Sequence, residues 1–135
     1  MARVATVATE LEERARARWT DANHCVQLVD RRRTAALERA GRLSAEELPV
    51  ALRSHLTTSG ARHLVALADE RATLTMEAEA RRAELEVAAT KVRSLERLID
   101  RLDRADELQR RRRAEAELRD LMAIRAARSE SRRTS

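Results

Sequence analysis

The sequence predicts an all-α fold, a long antiparallel two-helix coiled-coil hairpin, on three observations. Leu85, Ala88, Val92, Leu95, Ile99 and Leu102 recur at alternating spacings of three and four, with charged residues filling most positions between them. That spacing draws a narrow apolar stripe along one side of a helix, the seam of a coiled coil. The composition agrees: there is no Phe or Tyr and a single Trp, while 38% of residues are charged. The rings that usually fill a globular core are therefore missing, and Ala, Leu, Arg and Glu dominate as they do in long helices. Two Gly and one Pro leave almost no turn chemistry for a sheet, so a compact enzyme fold is not expected.

The first helix is expected over about residues 3–40. Its stripe runs Ala8, Leu11, Ala15, Trp19, Ala22, Val26, Val29 and Ala36, with Leu28 and Leu37 on its flanks. Glu10–Arg14, Glu12–Arg16 and Glu38–Arg42 stand four apart with the acid first, the favourable orientation on a helix. A turn is expected over about 41–48. Gly41 suits a left-handed position after a helix end, and Ser44-Ala45-Glu46-Glu47 reads as a capping box. Pro49 falls beyond the first turn of a helix begun there, where its missing N–H removes a helical hydrogen bond, so a short turn at 44–48 and a cleaner second helix from about 49 to 128 are expected.

Thr57-Thr58-Ser59-Gly60 is a weak point where that helix is expected to break or kink, because β-branched residues and Gly lower helix propensity. Beyond it the seam extends backward from Leu85 through Leu64, Leu67, Leu74 and Ala78, interrupted by Arg71 and Arg81. The uninterrupted stretch would span on the order of 100 Å. Residues 129–135 are polar and are expected to be disordered.

Charge is unevenly placed. Residues 110–135 hold nine basic against four acidic residues, whereas 61–109 hold nine against eleven. Arg110-Arg111-Arg112-Arg113 is the sharpest local feature. Four consecutive Arg spread around most of a helical turn, so they cannot share one core; they suit docking on an acidic surface, protein or phosphate. In a hairpin Arg14, Arg16 and Arg18 are expected to lie near them.

No catalytic, cofactor or metal site is expected. His24, Cys25, His55 and His63 lack metal-ligand spacing, and no phosphate loop or nucleophile–base pair occurs. The chain is read as a non-enzyme. A lone Cys fits a reducing compartment, and no apolar run reaches membrane-span length, so a soluble, cytoplasmic protein without a transmembrane segment is expected. Specific nucleic-acid recognition is disfavoured, because in a basic-zipper arrangement the basic region precedes the seam and here it follows. A scaffolding coiled-coil dimer and a weakly nucleic-acid-binding helix pair stand as the alternatives.

The organisation resembles the FliJ family, the stalk proteins of the flagellar type III export apparatus. The resemblance rests on a first amphipathic helix, the Gly41-to-Leu48 turn, and Lys91-Val92-Arg93-Ser94-Leu95-Glu96-Arg97-Leu98, which is similar to the family's K-x-LExL stretch. Arg-rich sequence follows, then Glu115-Ala116-Glu117-Leu118-Arg119-Asp120-Leu121, similar to its acid-Leu-acid segment. The resemblance implies a stalk that binds the hexameric export ATPase and the cytoplasmic part of the export gate, at the cytoplasmic face of the inner membrane. The family is also linked to the handling of export chaperones. Arg110–Arg113, Leu118, Arg119 and Leu121 are the residues assigned to ATPase contact. Leu28 alone matches the family's gate-contact positions, where His24, Arg31 and Ala35 replace the expected Gln or Tyr.

Overall fold

The computed structural model describes residues 1–134, and the described residues fold into two helices, α1 (Ala2–Ala45) and α2 (Val50–Thr134), with no strand. Residues 2–92 form one compact unit, and the rest of α2, from Arg93, belongs to a second.

The helices are divided by Pro49, not by Gly41. α1 continues through Gly41 to Ala45, and neither glycine has a positive φ, so the expected left-handed glycine after the helix is absent. Nor does Ser44 start a helix, since its hydroxyl donates back to the Gly41 carbonyl at 2.8 Å inside the last turn of α1. Glycine only lowers helix propensity, whereas proline also disfavours the helical conformation of the residue before it. The break accordingly falls at Glu46–Pro49. The Pro49 carbonyl accepts the first bond of α2, from Arg53 N at 2.9 Å, so proline stands where its missing N–H costs nothing. The Arg53 guanidinium also donates to the Glu46 carbonyl at 3.0 Å, placing a cation just past the carbonyl end of α1.

Two further expectations are corrected. α2 runs without interruption through residues 57–60. Thr58 there donates its hydroxyl to the Ser54 carbonyl at 2.9 Å, the ordinary helical back-bond, and one glycine is a small penalty inside a long cooperative helix. α2 also continues past residue 128 to Thr134, with Arg132 and Arg133 in its last turn, where cations favour the helix dipole. Ser135 lies outside the described residues.

Within residues 2–92 the helices pack antiparallel, and cross-helix ion pairs define their register. Arg18 reaches Glu84 at 3.9 Å and Arg32 reaches Glu70 at 3.7 Å. The arginines and the carboxylates are each two heptads apart and run in opposite directions along their helices. Between them Arg71 Nε donates to Asp30 Oδ1 at 2.5 Å.

The buried and half-buried positions follow the three–four alternation on both helices. On α1 the series is Ala5, Ala8, Glu12, Ala15, Trp19, Ala22, Val26 and Val29, and Asp30, Ala36 and Leu43 are half-buried besides. The expected stripe named Leu11 at the position Glu12 occupies. Leu11 is instead exposed, because the alternation set by Ala8 and Ala15 passes through residue 12. On α2 the series is Gly60, Leu64, Leu67, Arg71, Leu74, Ala78, Arg81, Leu85, Ala88 and Val92. Arg71 and Arg81 thus belong to the stripe and do not interrupt it. Among the described residues only Ala15, Val29, Leu67 and Ala78 are buried. In the second unit Leu95 and Ile99 are half-buried, and Leu102, expected in the seam, is exposed.

The stripe is small-sided near the turn. Ala36, Ala40 and Gly60 stand there among Leu43, Leu56 and Leu64, and a cleft of about 580 Å³ opens between the helices. A Cβ added at Gly60 would meet nothing within 4 Å. Gly60→Ala should therefore stabilise the protein by about 0.5–1 kcal/mol through helix propensity alone. Leu67→Ala should cost about 2–4 kcal/mol. Thr75→Val should stabilise by about 1 kcal/mol, because the Thr75 hydroxyl oxygen is buried without a hydrogen-bond partner. Urea unfolding followed by circular dichroism measures all three.

Candidate interaction surface

Every described residue from Asp100 to Thr134 is exposed, so this part of α2 presents its whole circumference. Helical geometry, at about 100° per residue, decides which side chains act together. Leu118, Leu121 and Met122 share one face, and Arg111 and Arg125 lie seven residues to either side of Leu118 on that same face. Arg110 flanks it. Arg112 and Arg119 lie on a neighbouring side, and Arg113 is turned well away, nearer to Ile124. The seven residues assigned to partner contact therefore do not form one patch. Arg111, Leu118 and Leu121 do, with Met122 added.

The apolar members are well exposed: Leu118 is 58%, Leu121 64% and Met122 63% accessible. Leu108 and Ile124 are also exposed and fall off this face, where sequence reading did not single them out. Helix periodicity around Leu118 was the signal that separates them.

The arginines differ in their engagement. Arg111 Nε donates to Glu107 Oε1 at 3.1 Å, and Arg119 stands 4.0 Å from Glu115. Both are exposed pairs four residues apart, contributing a few tenths of a kcal/mol each. Arg110, Arg112 and Arg113 have no ion pair or hydrogen bond among the described residues. Their donors are free for an incoming anion, and guanidinium suits bidentate contact with carboxylate or phosphate.

Of the α1 arginines expected near this collar, Arg16 and Arg18 have ion pairs within residues 2–92. Arg16 is engaged with Glu12 at 2.9 Å and Arg18 with Glu84, the latter well before Arg110 along α2. Leu28 is 38% exposed, outside the stripe and open to a partner. His24, Cys25, His55 and His63 are all exposed, and no group of three or more His, Cys, Asp or Glu side chains placed to hold a metal ion occurs among the described residues. No described helix is long and apolar enough to cross a membrane.

No protein-family model, curated protein or solved structure matches the chain.

Lack of side-chain burial along residues 103–134 has a dynamic consequence. Amide hydrogen exchange should be faster there than around Val29 and Leu67, by about tenfold or more, since helix opening in that stretch exposes no buried apolar surface. Exchange followed by mass spectrometry on the whole chain measures this; equal protection in both regions would show a stabilising contact that exposure does not reveal.

Proposed function

We propose that the chain is a non-enzymatic antiparallel coiled-coil stalk of the FliJ type. In this reading it binds the hexameric ATPase of a flagellar export apparatus and couples it to the cytoplasmic part of the export gate. It works in the cytoplasm, peripherally at the inner membrane once assembled, and engages export chaperones. What supports a coiled coil is the three–four alternation of half-buried positions on both helices. The docking role is carried by one observation: unpaired Arg110, Arg112 and Arg113 encircle a helix whose next turns expose Leu118, Leu121 and Met122. Cations beside apolar anchors suit a partner with acidic walls and an apolar floor.

The stripe of residues 2–92 is scaffold in this reading, and Leu28 is the one candidate for gate contact. Contacts through exposed arginines are steering contacts, screened over roughly 8 Å at physiological ionic strength. Association should therefore weaken with salt.

Reversing the collar, Arg110–Arg113 to Glu, should lower stimulation of a purified export-type ATPase by about tenfold or more, with helicity by circular dichroism unchanged. Unchanged stimulation would make the collar solvated surface and remove the docking role.

A further inference from the structure

The apolar alternation cannot by itself choose how the two helices pair. Its period is seven residues, so sliding α1 by one heptad realigns the same small and apolar side chains with the stripe of α2. Charged side chains respond differently. Asp30 meets Arg71 at 2.5 Å, Arg32 meets Glu70 at 3.7 Å and Arg18 meets Glu84 at 3.9 Å. After a one-heptad slide Arg71 faces Asn23 or Leu37, Glu70 faces Cys25 or Arg39, and Glu84 faces Leu11 or Cys25. One direction leaves none of the three pairs with an opposite charge; the other keeps only one, Arg39 standing in for Arg32 at Glu70, and loses the partners of Arg71 and Glu84.

Pairing between two copies meets the same obstacle. Arg71 and Arg81 occupy stripe positions of α2 and are both half-buried. A parallel pair of α2 stripes puts Arg71 against Arg71 and Arg81 against Arg81. An antiparallel pair centred between them puts Arg71 against Arg81. In the hairpin, by contrast, Arg71 has Asp30 across the pair; Arg81 keeps Glu84 at 3.2 Å and Glu77 at 4.0 Å on its own helix in either arrangement, but in the hairpin it faces no second arginine of an α2 stripe. Arg18 joins that cluster from α1 through Glu84.

We propose that Asp30–Arg71, with Arg81 and the Glu84 cluster, is a pairing-specificity device that selects the in-register intramolecular hairpin against heptad-slipped hairpins and against α2–α2 dimers. Its function is specificity and not added stability, as for polar groups at single seam positions in helical assemblies. The device lies wholly within residues 2–92 and is independent of what the collar binds.

The test uses the full chain. Cys25, the one cysteine and exposed, takes one spin label. Met76→Cys, at a position 72% exposed and level with Cys25 along the helix axes in this register, takes the second. The expected result for the parent is a monomer by sedimentation with a single label–label distance. In Arg71→Leu/Arg81→Leu helicity is kept, a second distance appears from an axial offset of about 10 Å, and the dimer dissociation constant falls by about tenfold or more. Asp30→Arg alone should also give two distances, and Asp30→Arg/Arg71→Asp should restore one. A dimeric parent overturns the proposal. So does a single unchanged distance with unchanged self-association in the leucine variant. Should that variant aggregate, the charge swap decides alone: failure of the double swap to restore the single distance overturns the device.

Discussion

Two helices with no third layer can hide only the narrow strip where they meet, and every other property of this protein follows from that limit. Four of the described residues are buried, Ala15, Val29, Leu67 and Ala78, and burying a side chain the size of Val or Leu contributes about 1.5–3 kcal/mol. A bundle with a broader core can absorb a misplaced residue; here each stripe position counts. Large apolar side chains off the strip, such as Leu11, Val65 and Met76, stay in water. The rest of that open surface is rich in charge, for the chain supplies 51 charged residues, 28 basic and 23 acidic.

The fold was largely legible because periodicity reports the strip directly. Leu64, Leu67, Leu74, Leu85, Ala88 and Val92 all lie on it. What misled was residue type read without phase. Leu11 is apolar and Glu12 is not, so hydrophobicity pointed to Leu11, yet the alternation passes through 12 and puts Glu12 on the strip. Arg71 and Arg81 read as gaps for the same reason. Gly41 looked like a helix end because glycine permits a left-handed turn, but permission is not compulsion, and the proline eight residues later constrains its neighbours outright. Ion-pair partners were beyond sequence reading, since register between helices is a tertiary fact that no local pattern encodes. The candidate surface was half legible: the collar and Leu118–Leu121 stood out, while their division among different faces needed the helix phase.

The seam arginines would be costly as fully buried charges. They are not fully buried: the Arg71 side chain keeps 42% of its exposure and Arg81 36%. An arginine can lay its aliphatic stem along an apolar strip and carry its guanidinium to the edge, where a carboxylate of the other helix or its own meets it. A thin two-helix strip is always close to its own edge, so charge can sit in it without deep desolvation. That makes polar selection of register compatible with a small core.

The same side chain thereby serves two ends in one molecule, and what separates them is the neighbouring charge. Arg18, Arg32 and Arg71 each have a carboxylate across the helix pair and are consumed in holding it. Arg110, Arg112 and Arg113 stand on an exposed stretch with no such partner among the described residues, and their nearest acidic neighbours in sequence serve other arginines, Glu107 with Arg111 and Glu115 with Arg119. Net positive charge left unpaired on one short stretch is what an acidic partner can read over a Debye length before any apolar contact forms. In the docking proposed above, burial of Leu118, Leu121 and Met122 is what supplies the non-directional, salt-independent part of the binding energy. Arginine count alone would not distinguish the two regions; the presence or absence of a facing carboxylate does.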